Sequence, residues 1–226
     1  AGVARVPIAP GAVLFDLALG NADVRPDASM GYAAASSAHT PALEQGNVGA
    51  GVGATVGKLA GMEQAMKGGL GTASLRQGDL VVGAIVAVNA LGNVVDPETG
   101  RILAGARGAT PGEWVDVLDP SVYVTAGFAG NTVIGALATN ARLDTAELNR
   151  LAQSGHDGLA RVIRPVHTLF DGDTLFAVAT GQVDANPVVL GEMAAVAMAR
   201  AVVNGVLEAL PVGGLPGALP TPRHFG

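Results

Sequence analysis

The stretch GFAGNTVI, residues 127–134, joins a glycine-rich segment to an apolar run. The glycines make the approach to Asn131 flexible, whereas residues 133–139 are apolar enough to predict a buried strand. Thr132 therefore stands where a loop becomes a rigid strand, which suits a nucleophile. The same pattern also fits a threonine that only begins a strand, because β-branched residues are common in strands.

A threonine hydroxyl needs a base before it can attack a carbonyl carbon. If the chain were broken between Asn131 and Thr132, the new α-amino group of Thr132 would supply that base. The unperturbed pKa of an α-amino group is about 7.7 to 8.0, so a useful fraction is unprotonated near neutral pH. The sequence therefore suggests a self-generated N-terminal nucleophile.

A second motif, DGDT at residues 171–174, precedes another apolar run. Its carboxylates, Asp171 and Asp173, come from one turn and are suited to hydrogen-bond the hydroxyl and the new ammonium group of Thr132. Asp-Gly-Asp is also an ordinary turn sequence, so the turn interpretation stays open. A calcium loop is not predicted, because the acidic spacing does not continue.

Composition restricts the class of protein. Of the 226 residues, 49% are hydrophobic, which is ample material for a core and argues against disorder. The net charge is -6 and no cluster of Lys and Arg with aromatic residues occurs, so we expect no nucleic-acid partner. Because there is no cysteine, the chain has no thiol nucleophile and no cysteine-based metal site.

Two apolar runs are candidates for membrane spans. Residues 80–91 are too few to cross a bilayer, and residues 188–210 are interrupted by Glu192, Arg200 and Asn204. The first residues show no charged-then-apolar pattern of a signal peptide. We therefore expect no membrane contact and a cytoplasmic location.

Apolar runs and capping patterns predict the elements of the fold. Besides the strand after Thr132, strands are predicted at residues 12–17, 80–90 and 174–180. Helices are predicted at residues 27–38, 144–163 and 188–210. The first is expected to pack closely, and the second begins with a capping box. Strands and helices mix without a regular βαβ alternation, so we predict an α+β layered sandwich forming a single domain, residues 1–226.

Two segments are less regular. Gly155 and Gly158 are points where the second helix could break. Residues 104–122 predict an irregular, exposed linker that leads towards Asn131. The glycine-rich residues 46–58 match neither a dinucleotide fingerprint nor a phosphate loop, since Leu59 stands where the phosphate loop requires Ser or Thr. We expect these glycines either to pack closely against a sheet or to form a wall of the site.

The histidines give no metal site. His39, His156, His167 and His224 do not share a metal-ligand spacing, so neither a metal nor another cofactor is predicted. No Gly-x-Ser-x-Gly motif is present, although sequence alone leaves a Ser-His-Asp triad open.

Several motifs follow one another in an order that resembles a known family. They are residues 6–17, 46–51, 67–74, 87–89, 130–132, 156–161, 167–168 and 171–174. In this order they are similar to the DmpA-like aminopeptidases and the NylC-type nylon-oligomer hydrolases, which are self-processing N-terminal-nucleophile enzymes. The resemblance implies a layered αββα sandwich and a homo-oligomer, with a tetramer as the expected state.

The resemblance also implies a processing event and a nucleophile. The chain would cut itself between Asn131 and Thr132 into an α piece, residues 1–131, and a β piece, residues 132–226, which stay associated. Thr132 would then be the catalytic nucleophile.

The same resemblance assigns roles to four further residues. Asp171 and Asp173 would orient Thr132 and its α-amino group. Asn89 would stabilise the oxyanion, and Lys58 would line the site. These roles agree with the chemistry, because an amide donor suits an oxyanion and a lysine raises the local positive potential.

Three features depart from the family pattern. Phe15, at a substrate-binding position, stands where some nylon-hydrolase relatives carry a tyrosine, so a phenolic contact would be missing. Thr132 replaces the serine nucleophile of DmpA, which places the chain nearer the NylC-like branch. The glycine-rich segment that usually precedes the motif at Val6 does not appear, so we expect an absent or incomplete N-terminal segment.

The expected activity is hydrolysis of amides with a free amino end, first of short peptides or amino-acid amides. Hydrolysis of linear 6-aminohexanoate oligomers is the second expectation, because the nucleophile does not define the substrate pocket. Two alternatives of other classes remain. One is a catalytically silent or fragmentary binding or assembly protein, and the other is an acyltransferase similar to ornithine acetyltransferase.

Overall fold

The computed structural model describes residue 4 and residues 6–38, 43–122 and 130–219. Within them the helices are α1 (Ala28–Ser36), α2 (Thr145–Val162) and α3 (Pro187–Leu207). The strands are β1 (Thr55–Val56), β2 (Met66–Lys67), β3 (Leu70–Gln77), β4 (Leu80–Ala87), β5 (Asn93–Val95), β6 (Ile102–Ala104), β7 (Ile134–Ala141), β8 (Ile163–Arg164) and β9 (Thr174–Val183).

A four-stranded sheet in the order β3-β4-β7-β9 forms the centre of the fold. Strand β4 pairs antiparallel with both β3 and β7, whereas β7 and β9 are parallel and are connected through α2. A three-stranded sheet, β6-β5-β8, and the short pair β1-β2 complete the strands. The α+β class predicted from the sequence is confirmed.

The core lies between the four-stranded sheet and the helices α2 and α3. On β4, Val82, Ala84 and Val86 alternate with less buried residues, as expected for a strand with one face on the core. α3 is long and apolar enough to cross a membrane by composition, but 61% of its apolar window is buried in the protein, as in a core helix.

Helix α2 begins at the predicted capping box. The Asp144 carboxylate accepts a hydrogen bond from the Glu147 amide, and the Glu147 side chain accepts one from the Asp144 amide. The helix is not interrupted at Gly155 or Gly158. Both are buried, and a Cβ on Gly158 would overlap the main chain of α3 at Ala195.

Three local predictions need correction. Residues 12–17 form no strand, because no neighbouring strand pairs with them and Val13 is exposed. α1 exists, capped by Asp27, but none of its residues is buried, so the expected close packing is wrong. Residues 104–122 are exposed over most of their length, yet the segment begins in the core, where Ala104 and Ala106 are buried.

Close approach of β3 to α3 depends on Gly71. Replacing Gly71 by alanine is expected to destabilise the fold by about 1–3 kcal/mol, because overpacking forces neighbouring backbone to move. The new Cβ would overlap the Ala201 carbonyl oxygen and lie 2.7 Å from the Gly205 Cα. Urea unfolding measures the effect. Gly83→Ala in β4 is the control, because its Cβ would find its nearest neighbour at 3.9 Å. Equal loss in both variants would contradict the expectation.

Candidate active site

The parallel pairing of β7 and β9 brings the two sequence motifs together. Ile134 is in register with Thr174, and the pairing continues as a bridge between Asn131 and Asp171. The starts of neighbouring parallel strands lie on the same edge of a sheet, so Thr132 comes next to the 171–173 turn. Residues 127–129 of the first motif lie outside the described residues.

The peptide bond between Asn131 and Thr132 is held at both ends. The Asn131 carbonyl oxygen accepts hydrogen bonds from Thr132 Oγ1 at 2.7 Å and from the Gly172 amide at 2.8 Å. The Thr132 amide donates to the Asn89 carbonyl oxygen at 2.9 Å. The hydroxyl therefore lies beside the carbonyl that it would attack, and that carbonyl already has a main-chain donor.

The two carboxylates of the DGDT motif have different surroundings. Asp171 Oδ2 accepts from the Thr168 hydroxyl at 2.6 Å and from the Thr168 amide at 3.0 Å, which fixes the turn. Asp173 Oδ1 accepts from the Val133 amide at 2.8 Å, whereas its Oδ2 is buried without a hydrogen-bond partner among the described residues. Asp173 therefore has a buried acceptor oxygen without a donor among the described residues.

Burial raises the pKa of Asp173. The nearby charge of Asp171 acts in the same direction, whereas the hydrogen bond from the Val133 amide, the charge of His167 and a hydrogen bond from the His167 main chain lower this pKa. Asp173 therefore depends on the donors around it to stay ionised.

Asn89 is fully buried and links several parts of the site. Its Nδ2 donates to the carbonyl oxygens of Phe15 at 3.1 Å and Gly130 at 3.3 Å, and its Oδ1 accepts from Lys58 Nζ at 2.8 Å. The Asn89 side-chain amide thus binds the carbonyl of Gly130, whereas the donors to the Asn131 carbonyl are Thr132 Oγ1 and the Gly172 amide.

Lys58 is buried next to the same asparagine. Burial lowers the pKa of Lys58 to about 7, and the charges of Asp171 and Asp16 partly oppose this effect. Its Nζ donates to the Asn89 carbonyl oxygen at 3.3 Å, the atom that also accepts from the Thr132 amide. Lys58 therefore lies close to Thr132, and the lowered pKa places the change of charge of its amine near neutral pH.

Phe15 lies at the edge of this arrangement. Its carbonyl oxygen accepts from Asn89, and a Cβ on Gly130 would approach the Phe15 side chain to 2.6 Å. Phe15 also borders a small cavity, whose other lining residues are Asp16, Ala18, Gly53, Thr55, Lys58, Met62 and Gly130. Residues of the glycine-rich stretch thus both pack closely and line the cavity, as expected for the wall of a site.

Sequence reasoning missed three contributors to the site. The Gly172 amide lies inside the DGDT motif, but a main-chain donor leaves no mark in the residue types. Thr168 was part of the family resemblance without a role, and its spacing of three from Asp171 is the signal of a turn in which both side chains participate. Asp16, whose charge acts on Lys58, was likewise part of the resemblance without a role.

Two of the histidines contact each other. His156 Nδ1 and His167 Nε2 are 3.0 Å apart, whereas His39 and His224 lie outside the described residues. Within the described part of the chain, no three side chains of His, Asp or Glu form a group able to hold a metal ion.

Residues 3–219 match the family model described as peptidase family S58. The chain belongs to peptidase family S58. Among curated S58-related sequences, an "uncharacterized aminopeptidase" of Mycobacterium tuberculosis is 44% identical, over 93% of this chain and 66% of the relative. A 6-aminohexanoate-oligomer endohydrolase of Paenarthrobacter ureafaciens is 35% identical, over 81% of this chain and 53% of the relative.

Solved structures share the architecture of this S58 member. A β-aminopeptidase of a Burkholderia species has a TM-score of 0.63 at 26% identity, covering 91% of this chain and 58% of that one. An aminopeptidase of Ochrobactrum anthropi, described as a variant of the Ntn-hydrolase fold, has a TM-score of 0.51 at 21% identity, covering 74% and 46%, a likeness of fold alone. The S58 chain spans about two thirds or less of the length of these relatives.

Proposed function

We propose that this S58 member is an amide hydrolase that cuts its own chain between Asn131 and Thr132 and then uses Thr132 as an N-terminal nucleophile. The observation that carries the proposal is the Asn131 carbonyl oxygen, which accepts from both Thr132 Oγ1 and the Gly172 amide. An attacking hydroxyl and a donor for the developing oxyanion thus meet at one peptide bond.

Self-cleavage would proceed in two steps, a shift of the acyl group from nitrogen to oxygen and hydrolysis of the resulting ester. Thr132 Oγ attacks the Asn131 carbonyl carbon, the Gly172 amide binds the oxyanion, and the carbon–nitrogen bond breaks with proton transfer to nitrogen. An ester then joins Asn131 to the Thr132 oxygen. Water hydrolyses that ester and leaves a carboxylate on Asn131 and a free α-amino group on Thr132.

Substrate hydrolysis would repeat this chemistry with the new amino group as base. The α-amino group of Thr132 takes the hydroxyl proton, and the hydroxyl attacks the substrate amide to form an acyl-enzyme. The amine product leaves with a proton, and water activated by the same amino group hydrolyses the ester. Asp173 would hold the ammonium form, and Asn89 would supply an amide donor to the substrate oxyanion once the Gly130 segment has moved after cleavage.

Short peptides and amino-acid amides with a free amino end are the substrates that we favour. The support is the higher identity to a relative named as an aminopeptidase, 44%, than to one named as a 6-aminohexanoate-oligomer endohydrolase, 35%. Oligomers of 6-aminohexanoate are the second candidate. Phe15 and Asp16 border the cavity beside Lys58 and would contact either substrate.

Intact-mass analysis under denaturing conditions tests the proposal. The purified protein is expected to separate into residues 1–131 and 132–226, with threonine as the new N-terminus. The cut protein is then assayed on amino-acid anilides, dipeptides and linear 6-aminohexanoate oligomers, with and without ornithine as an acyl acceptor. A chain that stays whole after long incubation and hydrolyses none of them would favour a silent or fragmentary binding protein, and transfer to ornithine would favour the acyltransferase.

We further propose a cytoplasmic homo-oligomer, with a tetramer as the expected state. Apolar side chains on the first described residues support self-association, since Val6, Ile8 and Val13 are exposed. Light scattering coupled to size-exclusion chromatography measures the mass in solution, and a monomer over a wide concentration range would contradict the oligomer.

A further inference from the structure

One oxygen of the Asp173 carboxylate is buried without a hydrogen-bond donor. Oδ1 accepts from Val133, whereas Oδ2 has no hydrogen-bond partner among the described residues, and the side chain is only 4% exposed. A buried carboxylate oxygen without a donor is costly and requires an explanation. His167 Nε2 lies 3.8 Å from this oxygen, just beyond hydrogen-bond distance.

His167 is held in an unusual position by its surroundings. Its φ is 54°, the one positive value on a non-glycine residue in the described part of the chain. Such a backbone costs about 1–3 kcal/mol and persists where neighbouring structure imposes it. The imidazole contacts His156 of α2 edge to face, with ring centroids 5.0 Å apart and the two nitrogens at 3.0 Å.

A proton on His167 Nε2 has two possible acceptors, His156 Nδ1 at 3.0 Å and Asp173 Oδ2 at 3.8 Å. A carboxylate oxygen only accepts, so Asp173 needs a proton on His167 Nε2. With that proton in place, His156 Nδ1 must be the bare, accepting nitrogen. Burial lowers the pKa of His156, and the adjacent His167 acts in the same direction, which favours the neutral accepting form.

We propose that His167 is a positioning residue whose Nε2 proton keeps the Asp173 carboxylate ionised and oriented towards the α-ammonium group of Thr132. The inference rests on the proposed self-cleavage, because only a cut chain has that group. Since the His167 side chain is 40% exposed, its ring has room to rotate, which exchanges the contact of Nε2 with His156 Nδ1 for a hydrogen bond to Asp173. The partly exposed His167 thus lies between the buried Asp173 carboxylate and solvent.

The charges around Asp173 fix the direction of the effect. Burial and Asp171 raise the pKa of Asp173, whereas the Val133 amide and His167 lower it. After cleavage the Thr132 ammonium also faces this carboxylate, and Asp157 faces His156 from its own helix. Replacing the imidazole of His167 keeps the main-chain hydrogen bond and removes the effect of the ring, so the pKa of Asp173 rises and the carboxylate is protonated at a higher pH.

The test compares pH profiles of the cut protein and its His167→Asn variant. Asparagine tolerates a positive φ better than other non-glycine residues, so this variant removes the imidazole and keeps the backbone. The acid limb of kcat/KM is expected to move to higher pH by about 0.5–1 unit, with little change on the alkaline side. His167→Gln, which retains a donor on a longer side chain, is expected to restore part of the shift.

Leu169→Asn is the matched control, because Leu169 is fully exposed in the same loop. An acid limb in His167→Asn that coincides with those of the wild type and Leu169→Asn would overturn the proposal. Nitrogen-15 NMR of the histidines supplies a measurement independent of activity and of variant folding. It is expected to find His167 Nε2 protonated and His156 Nδ1 bare, and a bare His167 Nε2 would overturn the proposal even in a chain that does not cut itself. Failure of the proposed function is seen separately, as an uncut and inactive wild type.

Discussion

Thr132→Ala is expected to leave the chain whole and to reduce amide hydrolysis by about 10³-fold or more, because it removes the hydroxyl and prevents release of the amino group. In the uncut structure the hydroxyl donates to the Asn131 carbonyl oxygen, and no other side-chain hydroxyl of the described residues binds that oxygen. Intact-mass analysis of wild type and variant, prepared in parallel, measures the cut.

Thr132→Ser is the matched control for the same position. Serine retains the hydroxyl and loses only the β-methyl group, so it is expected to cut the chain and to hydrolyse amides, with altered rates. Cleavage of Thr132→Ala at the same bond would show that another group or a contaminating protease breaks the chain. A whole Thr132→Ser chain would show that the methyl group is needed to hold the hydroxyl in place.

Lys58→Met is expected to slow self-cleavage by about 10²–10⁴-fold, the range for loss of a general base. Before the cut the Thr132 nitrogen is an amide and cannot act as a base, so another group must accept the hydroxyl proton. Lys58 is suited to this role because burial lowers its pKa to about 7. Its Nζ and the Thr132 amide also donate to the same Asn89 oxygen.

The same substitution is expected to stabilise the fold. Because the pKa of Lys58 is about 7 in the fold, below its ordinary value of 10.5, the unfolded chain binds more protons between these pH values. The free energy of unfolding of the wild type therefore rises with pH in that window. Lys67, with a pKa of about 8, adds a dependence of the same sign above that pH.

The effect of Lys58 on stability is best measured in chains that do not cut themselves. Thr132→Ala and Thr132→Ala/Lys58→Met are both expected to be whole, so urea unfolding at several pH values isolates Lys58, with the Lys67 contribution common to both. The double variant is expected to be more stable at pH 7 and to show a smaller rise of stability with pH. An equal pH dependence of stability in the two proteins would contradict the lowered pKa of Lys58. A single Lys58→Met variant that cuts itself as fast as the wild type would contradict the role of Lys58 as the base. Lys58→Arg, which stays charged, is expected to cleave slowly without the gain in stability.

Local sequence patterns predicted most of the central elements. The capping box at residues 144–147 located the start of α2, and the apolar runs after Thr132 and Asp173 located β7 and β9, because caps and periodicity act over a few residues. The predicted strand at residues 12–17 was wrong for the opposite reason. A strand needs a partner, and nothing local to that segment supplies one.

The sequence by itself determined the α+β class, the resemblance to the DmpA-like and NylC-type enzymes and the identity of the candidate nucleophile and carboxylates, since these depend on residue types and short spacings. Only the tertiary structure decided which atoms meet. The parallel pairing of β7 and β9 brings the Gly172 amide to the Asn131 carbonyl. Burial lowers the pKa of Lys58. One oxygen of the buried Asp173 carboxylate lies 3.8 Å from His167 Nε2. Hydrogen-bond partners and burial depend on segments far apart in the chain, so no local pattern encodes them.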